Sequence, residues 1–289
     1  MNKKSLKNLT IKDDFMFGAV MCDEKNCKMF LERVLDFPIE RIVVDKEKSI
    51  FYNPEYKGIR LDVYAKDEKN TCYNVEMQGV KKASLPKRTR YYHSQMDMEL
   101  LLSGQDYEEL SDVYVIFVCD FDPFGLGLYK YTFDHICVES QEVSHRDGSH
   151  TIYLSTKGKN DEEVPESLVK FLHYLGADLK DSTKDYEDSF VSHLQESVQK
   201  VKTSREMEDK HMKLELLMRD QRRAGKAEGK AEGKAEGRAE SVLEFLSDHG
   251  AIQSELREKI MAERDMDTLK RWVKLSAQVA SVEEFIEKM

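Results

Sequence analysis

The segments Gly58-Ile59-Arg60-Leu61-Asp62-Val63-Tyr64 and Tyr73-Asn74-Val75-Glu76-Met77-Gln78, joined through the turn formers Asp67-Glu68-Lys69-Asn70, decide the reading of this chain. Two β-branched and aromatic runs around such a turn predict a hairpin with arms over residues 59–66 and 71–78. A strand presents alternate residues to opposite faces. Asp62 and Tyr64 therefore share one face, and Leu61, Val63 and Ala65 take the other. On the second arm Asn74, Glu76 and Gln78 fall together, opposed by Val75 and Met77. Two carboxylates and an amide then converge on a polar surface whose reverse is apolar. Carboxylates held together repel and lose hydration, and a hard, oxygen-preferring divalent cation such as magnesium relieves both penalties. Such an ion can activate water and stabilise charge on a phosphodiester under attack. The plain alternative is a surface hairpin with its polar residues in water, which the bare pattern favours.

Outward from the hairpin, Phe15, Phe17, Val20, Met21, Met29, Phe30, Val34 and Leu35 recur at helical spacing and stop at Asp36-Phe37-Pro38. One or two opening helices are expected. Arg41-Ile42-Val43-Val44 predicts a strand before the hairpin. Residues 86–103 turn helical, with Gly104 as the stop, and Val113–Cys119 has the character of a buried strand. The order is helix, three strands, helix, strand.

Asp62 followed by Glu76-Met77-Gln78 in that order of elements resembles the PD-(D/E)XK nuclease superfamily. Arg60-Leu61-Asp62, Asn74-Val75-Glu76-Met77-Gln78, Lys87-Arg88-Thr89-Arg90-Tyr91-Tyr92 and Phe121-Asp122-Pro123-Phe124-Gly125 resemble more closely the Rpn family of recombination-promoting nucleases, also described as PD-(D/E)XK family transposases. The similarity covers nearly the full chain, from Lys12-Asp13-Asp14-Phe15-Met16-Phe17 to Arg257-Glu258-Lys259-Ile260-Met261 and Leu269-Lys270-Arg271-Trp272. It implies an α/β fold: a restriction-endonuclease-like core (helix, three strands, helix, strand) with a helical C-terminal extension. It further implies a metal-dependent DNA endonuclease linked to recombination or mobile elements. Asp62 and Glu76 would be ligands of Mg2+ (Mn2+ or another divalent cation being the alternatives), and catalytic Gln78 stands where the superfamily has lysine. An amide orients water but brings no charge, so the metal would carry more of the electrostatic load. The Pro-Asp dipeptide is absent, since Asp62 follows Leu61 and Asn53-Pro54-Glu55 lies earlier. Glu32 or Asp14 is the candidate to complete the site, and His93 is the one histidine expected near it. The missing lysine motivates a rival reading, a catalytically inactive DNA-binding or regulatory protein that retains the fold.

Lys81, Lys82, Lys87, Arg88 and Arg90 place five cations in residues 81–95 with no acidic residue among them. Beside a metal site this stretch would grip a phosphate backbone, with Arg60 as a second contact. Tyr91, Tyr92 and Gln95 either touch sugars and order the site or pack on the sheet. The 289 residues carry 55 Asp and Glu against 45 Lys and Arg, a net charge of -10, which excludes a globally basic nucleic-acid coat but not a local patch. The longest strongly apolar run, Val113–Cys119, is too short to cross a bilayer of about 30 Å, so no membrane partner is expected. The opening lysines precede no apolar stretch, so a cytoplasmic protein is expected, with its five cysteines reduced. Eight histidines show no paired metal spacing with a cysteine, and spacing gives zinc little support. Residues 120–125, with Asp122-Pro123, read as a turn.

Composition divides the chain into a first domain over residues 1–182, which the resemblance implies is the PD-(D/E)XK-like nuclease domain, a helical, low-complexity tether over 183–240 and a small helical module over 241–289. Residues 225–240 repeat Gly-Lys-Ala-Glu three times and then Gly-Arg-Ala-Glu. Like charges stack at i, i+4, and each glycine costs about 1 kcal/mol against alanine in a helix, so the repeat is marginal unless a partner packs on it. The module's apolar stripes are thin. It is expected to be stabilised by docking or by forming a homo-oligomer. Ser281 with Glu284 predicts a capping box for its last helix.

Overall fold

The computed structural model describes residues 5–46, 48–50, 59–140 and 142–289, apart from the side chains of Lys46 and Arg60. Gly58 and Asn53-Pro54-Glu55 lie outside the described residues, as does the Arg60 side chain proposed to meet DNA. The chain forms two compact units, residues 1–211 and 212–289.

The first unit opens with α1 (Asp14–Met21) and α2 (Glu24–Leu35), capped by the side chains of Asp13 and Asp23. Asp36, with a left-handed φ of 59°, ends α2 ahead of Pro38. Then follow β1 (Ile42–Lys46), β2 (Ser49–Ile50), β3 (Ile59–Arg60), β4 (Val63–Asp67), β5 (Cys72–Gln78), α3 (Leu85–Leu100), β6 (Val113–Cys119), β7 (Lys130–Phe133) and β8 (Ser149–Ser155). The six-stranded mixed sheet has the order β1-β4-β5-β6-β8-β7. The β5–β6 and β6–β8 pairs are parallel, and the β1–β4, β4–β5 and β7–β8 pairs are antiparallel. The parallel β5–β6 pair needs a crossover, which α3 provides.

Period-two alternation distributes the side chains. Tyr73, Val75, Met77, Ile116 and Val118 face α1, α2, α4 (Glu166–Gly176) and α5 (Ser189–Thr203) in one buried cluster. Cys72, Val113, Val115, Phe117 and Cys119 face α3 in another, with Leu85, Tyr92 and Met96. Both faces of the sheet are therefore covered, as its parallel strands require.

The expected single strand over residues 59–66 is broken. β3 ends at Arg60 and pairs with β2, while β4 starts at Val63. The Leu61 amide donates to the Lys48 carbonyl at 2.9 Å. Alternation restarts after the break, so Leu61 joins the α3-side cluster with Tyr64 rather than lying with Val63 and Ala65. The first unit also reaches past residue 182. Phe190, Val191, Leu194, Val198 and Val201 of α5 are buried in its core. Asp188 caps α5 and pairs with Arg33 of α2 at 2.9 Å.

A 43-residue helix, α6 (Arg205–Ser247), begins in the first unit and ends in the second. The repeat lies wholly within it, glycines included. Near its end Ala235 and Ala239 are buried with Val242 and Leu246 against α7 (Ser254–Ala262), α8 (Met266–Ser276) and α9 (Val282–Lys288), through Ile260, Leu269, Trp272 and Phe285. That packing supports only the end of the repeat, and residues 225–234 are exposed helix. Ser281 caps α9 by accepting from the Glu284 amide, and Glu284 reaches back to the Ala280 amide. Among the described residues no helix is long and apolar enough to cross a membrane.

Candidate active site

Asp62 occupies the interruption between β3 and β4, and Glu76 and Gln78 end β5 on the face that α3 covers. The two carboxylates are braced by backbone amides of the opposing segment. The Asp62 amide donates to Glu76 Oε1 at 3.2 Å, and the Met77 amide donates to Asp62 Oδ2 at 3.2 Å. Glu76 is 1% exposed. Burial and the neighbouring Asp62 charge push its carboxyl up, with Arg88 pulling the other way, to about 8.

Arg88, in the first turn of α3, enters the site from above the sheet. It donates to Glu76 Oε2 at 2.6 Å, to Gln78 Oε1 at 3.1 Å and, through Nε, to the Tyr92 hydroxyl at 2.7 Å. Its guanidinium lies 4.9 Å from the Tyr92 ring centroid and 5.5 Å from that of Phe117. The sequence assigns Arg88 to phosphate binding with its neighbours, whereas the fold turns it inward. Helical spacing separates it from Lys87 and Arg90, of which Arg90 is exposed, as are Lys81, Lys82 and Lys87. These four cations flank the start of α3, whose free N–H groups add positive potential and whose first turn has no acidic residue.

Of the accessory candidates, Asp14 shares this electrostatic neighbourhood. Burial and Asp13 raise its carboxyl, and Lys82 and Arg88 lower it. Glu32 is engaged elsewhere, accepting from Lys28 at 2.9 Å and from the Ile39 amide at 3.0 Å. Tyr91 packs on the α3-side cluster, and Gln95 is buried along the same helix. His93 turns away from the carboxylates to bond Thr151 and Ser149 on β8, and burial lowers its imidazole to about 4. The Asp122 side chain accepts from the amides of Phe124, Gly125 and Gly127, which makes residues 122–127 a capped turn.

The donor set suits a hard divalent cation. Asp62, Glu76 and the Gln78 carbonyl offer only oxygen, the donor type such an ion prefers. Nucleases of the PD-(D/E)XK kind typically use divalent cations, and these residues fit one.

No curated protein and no solved structure matches the chain. The sequence profile described as PD-(D/E)XK nuclease family transposase matches residues 11–227, about three quarters of the chain, and this span holds Asp62, Glu76, Gln78 and all of α3. The hairpin carboxylates, the strand order around them and this match agree: the chain belongs to the PD-(D/E)XK nuclease family transposases.

Proposed function

We propose that the protein is a metal-dependent DNA endonuclease that hydrolyses backbone phosphodiesters at Asp62, Glu76 and Gln78, in recombination or the movement of genetic elements. The observation that carries this reading is the buried Glu76 carboxylate, held beside Asp62 with its proton affinity raised. A fold keeps such a costly group, whose ionised form is disfavoured until a cation arrives, where function requires it. A divalent cation bound there would supply Lewis-acid stabilisation of phosphoryl charge and a water of lowered pKa. Asp62 and Glu76 would hold it through oxygen, and the brace between the two strands fixes their separation. Gln78 accepts from Arg88 through its carbonyl oxygen and donates to the Met77 carbonyl at 2.9 Å. This leaves Arg88 as the positive charge beside the site that the absent lysine would have given. Lys81, Lys82, Lys87 and Arg90 at the start of α3 would hold the DNA backbone. The restriction-endonuclease-like core and the role of residues 241–289 as a separable, self-associating extension belong to the same reading.

A nicking assay on supercoiled DNA tests it. Asp62→Ala should abolish magnesium-dependent cleavage with the fold intact, and equal cleavage by variant and wild type would refute the assignment. The rival reading, an inactive DNA-binding protein, is favoured by one feature: the 2.6 Å Arg88–Glu76 pair closes the site on itself. That reading predicts DNA binding without cleavage under magnesium or manganese.

A further inference from the structure

The β7–β8 pair holds register up to Phe133 opposite Thr151, and the chain between them leaves the sheet as a thin two-armed excursion. Its arms are joined by the Ile136–Ser144 bridge, the Cys137 amide to the Val143 carbonyl at 3.0 Å and the His145 amide to the His135 carbonyl at 2.9 Å. His135 and His145 thus stand opposite each other across the arms. Asp147 follows two residues later. Its Oδ2 lies 2.7 Å from His135 Nδ1 and 3.2 Å from His145 Nδ1, and the three residues each offer a ligand atom within 4.8 Å of the others. Ser149 donates its amide to the other carboxylate oxygen at 3.2 Å, which fixes the orientation of the carboxylate.

We propose that His135, His145 and Asp147 form a second metal site, for zinc or another divalent transition metal that prefers imidazole. Donors about 2.0–2.1 Å from a tetrahedral ion stand roughly 3.3 Å apart, and the two spacings to the Asp147 oxygen, 2.7 and 3.2 Å, lie near that value. Binding requires each Nδ1 to give up its proton and offer a lone pair, with the remaining proton on Nε2. Two imidazoles and one carboxylate select zinc over magnesium, whereas the all-oxygen set at Asp62 and Glu76 does the reverse. Three protein ligands leave a fourth position for water. The ion would join the two arms of the excursion, which few backbone bonds hold and which exposes Ile136, Val138 and Val143. Linear spacing conceals the site because its ligands meet across the arms, ten residues apart, and no cysteine takes part.

The test uses the full chain with zinc alone as the probe, in millimolar magnesium to occupy oxygen-ligated sites. Equilibrium dialysis with metal analysis should find one zinc bound in the wild type and equally in Asp62→Ala. The His135→Gln/His145→Gln double variant should bind zinc at least about tenfold more weakly while melting like the wild type in chelator. Zinc should raise the melting temperature of the wild type and leave that of the double variant unchanged. If the double variant fails to fold, the wild type alone decides: bound zinc should protect His135 and His145 from diethyl pyrocarbonate. Zinc affinity unchanged by the double substitution, absence of wild-type binding above the magnesium baseline, or modification of both histidines at the same rate with and without zinc would each overturn the proposal.

Discussion

Replacing Glu76 by glutamine should make the metal-free protein more stable while abolishing cleavage. The side chain is 1% exposed, and burial, reinforced by Asp62, raises its carboxyl from 4.5 to about 8. Each factor of ten in proton affinity is worth about 1.4 kcal/mol, so at pH 7 the folded state carries a cost of roughly 3 kcal/mol that the unfolded chain does not. Glutamine has the same shape, does not titrate and keeps one acceptor, which serves Arg88 or the Asp62 amide but not both, so roughly 3 kcal/mol is the upper end of the gain. Arg88, with 27% of its side chain exposed, can hydrate its charge when the carboxylate is gone. For a unit of this size roughly 3 kcal/mol corresponds to about 6–12 °C in melting temperature. The sign with pH follows from the raised value. The stability contributed by this carboxyl is fully present below 4.5 and is lost as pH rises through about 8, so the advantage of Glu76→Gln should vanish near pH 4 and be fullest above pH 8. Magnesium should narrow the gap, because a ligand stabilises only the form that binds it. The measurement is a set of thermal melts in chelator across that range, repeated with magnesium. A Glu76→Gln variant that melts at or below the wild type at pH 7–8 without metal would refute the reasoning, by showing that the Arg88 pair makes this carboxylate a net source of stability.

Further outcomes follow from the same geometry. Arg88→Ala should cut cleavage by about two to three orders of magnitude, as removal of one preorganised donor to developing charge does. Gln78→Lys should restore much of that activity in the Arg88→Ala background, but should lower stability when Arg88 remains 3.1 Å away, and additive effects in the double-variant cycle would deny the coupling. Removing Lys81, Lys82, Lys87 and Arg90 together should weaken binding to all DNA sequences alike and flatten the salt slope by up to about 0.9 for each phosphate no longer neutralised, as read by titrations at several salt concentrations. Changing Gly225, Gly229 and Gly233 to alanine should each add about 1 kcal/mol of helix stability, because an added Cβ at any of the three meets nothing within 4 Å; no gain in helicity or melting temperature for the triple variant would mean that α6 is not a continuous helix there.

The sequence makes the hairpin faces legible wherever a strand stays regular, because alternation depends on a period of two and on nothing distant. Asn74, Glu76 and Gln78 share their face as the pattern requires, with Val75 and Met77 opposite. The rule fails at Leu61, where the strand breaks and the alternation restarts. The broken strand also places Asp62 outside a regular ladder, where its carboxylate is able to reach the backbone of β5.

Arg88 and His93 show where local reasoning runs out. Both lie in a basic, aromatic stretch that reads as one surface. On α3, however, Arg88 and Tyr92 form one i, i+4 row over β5, and Thr89 and His93 form the adjacent row over β8, where Thr89 meets Tyr153 at 2.6 Å and His93 meets Thr151 at 2.9 Å. One helix crossing parallel strands thus serves two places at once, and residue type alone does not say which row serves which. The signal that could have separated them is chemical rather than positional. Gln78 leaves the site without a fixed positive charge, and a buried carboxylate cannot remain ionised without a partner. A cation has to come from another element, and the crossover helix that follows β5 is the nearest in sequence able to bring one. The same demand explains why Arg88 is turned inward while Lys87 and Arg90 are not: its guanidinium is held by Tyr92 and by Glu76 itself, whereas the Lys87 ammonium and the Arg90 guanidinium remain exposed to water.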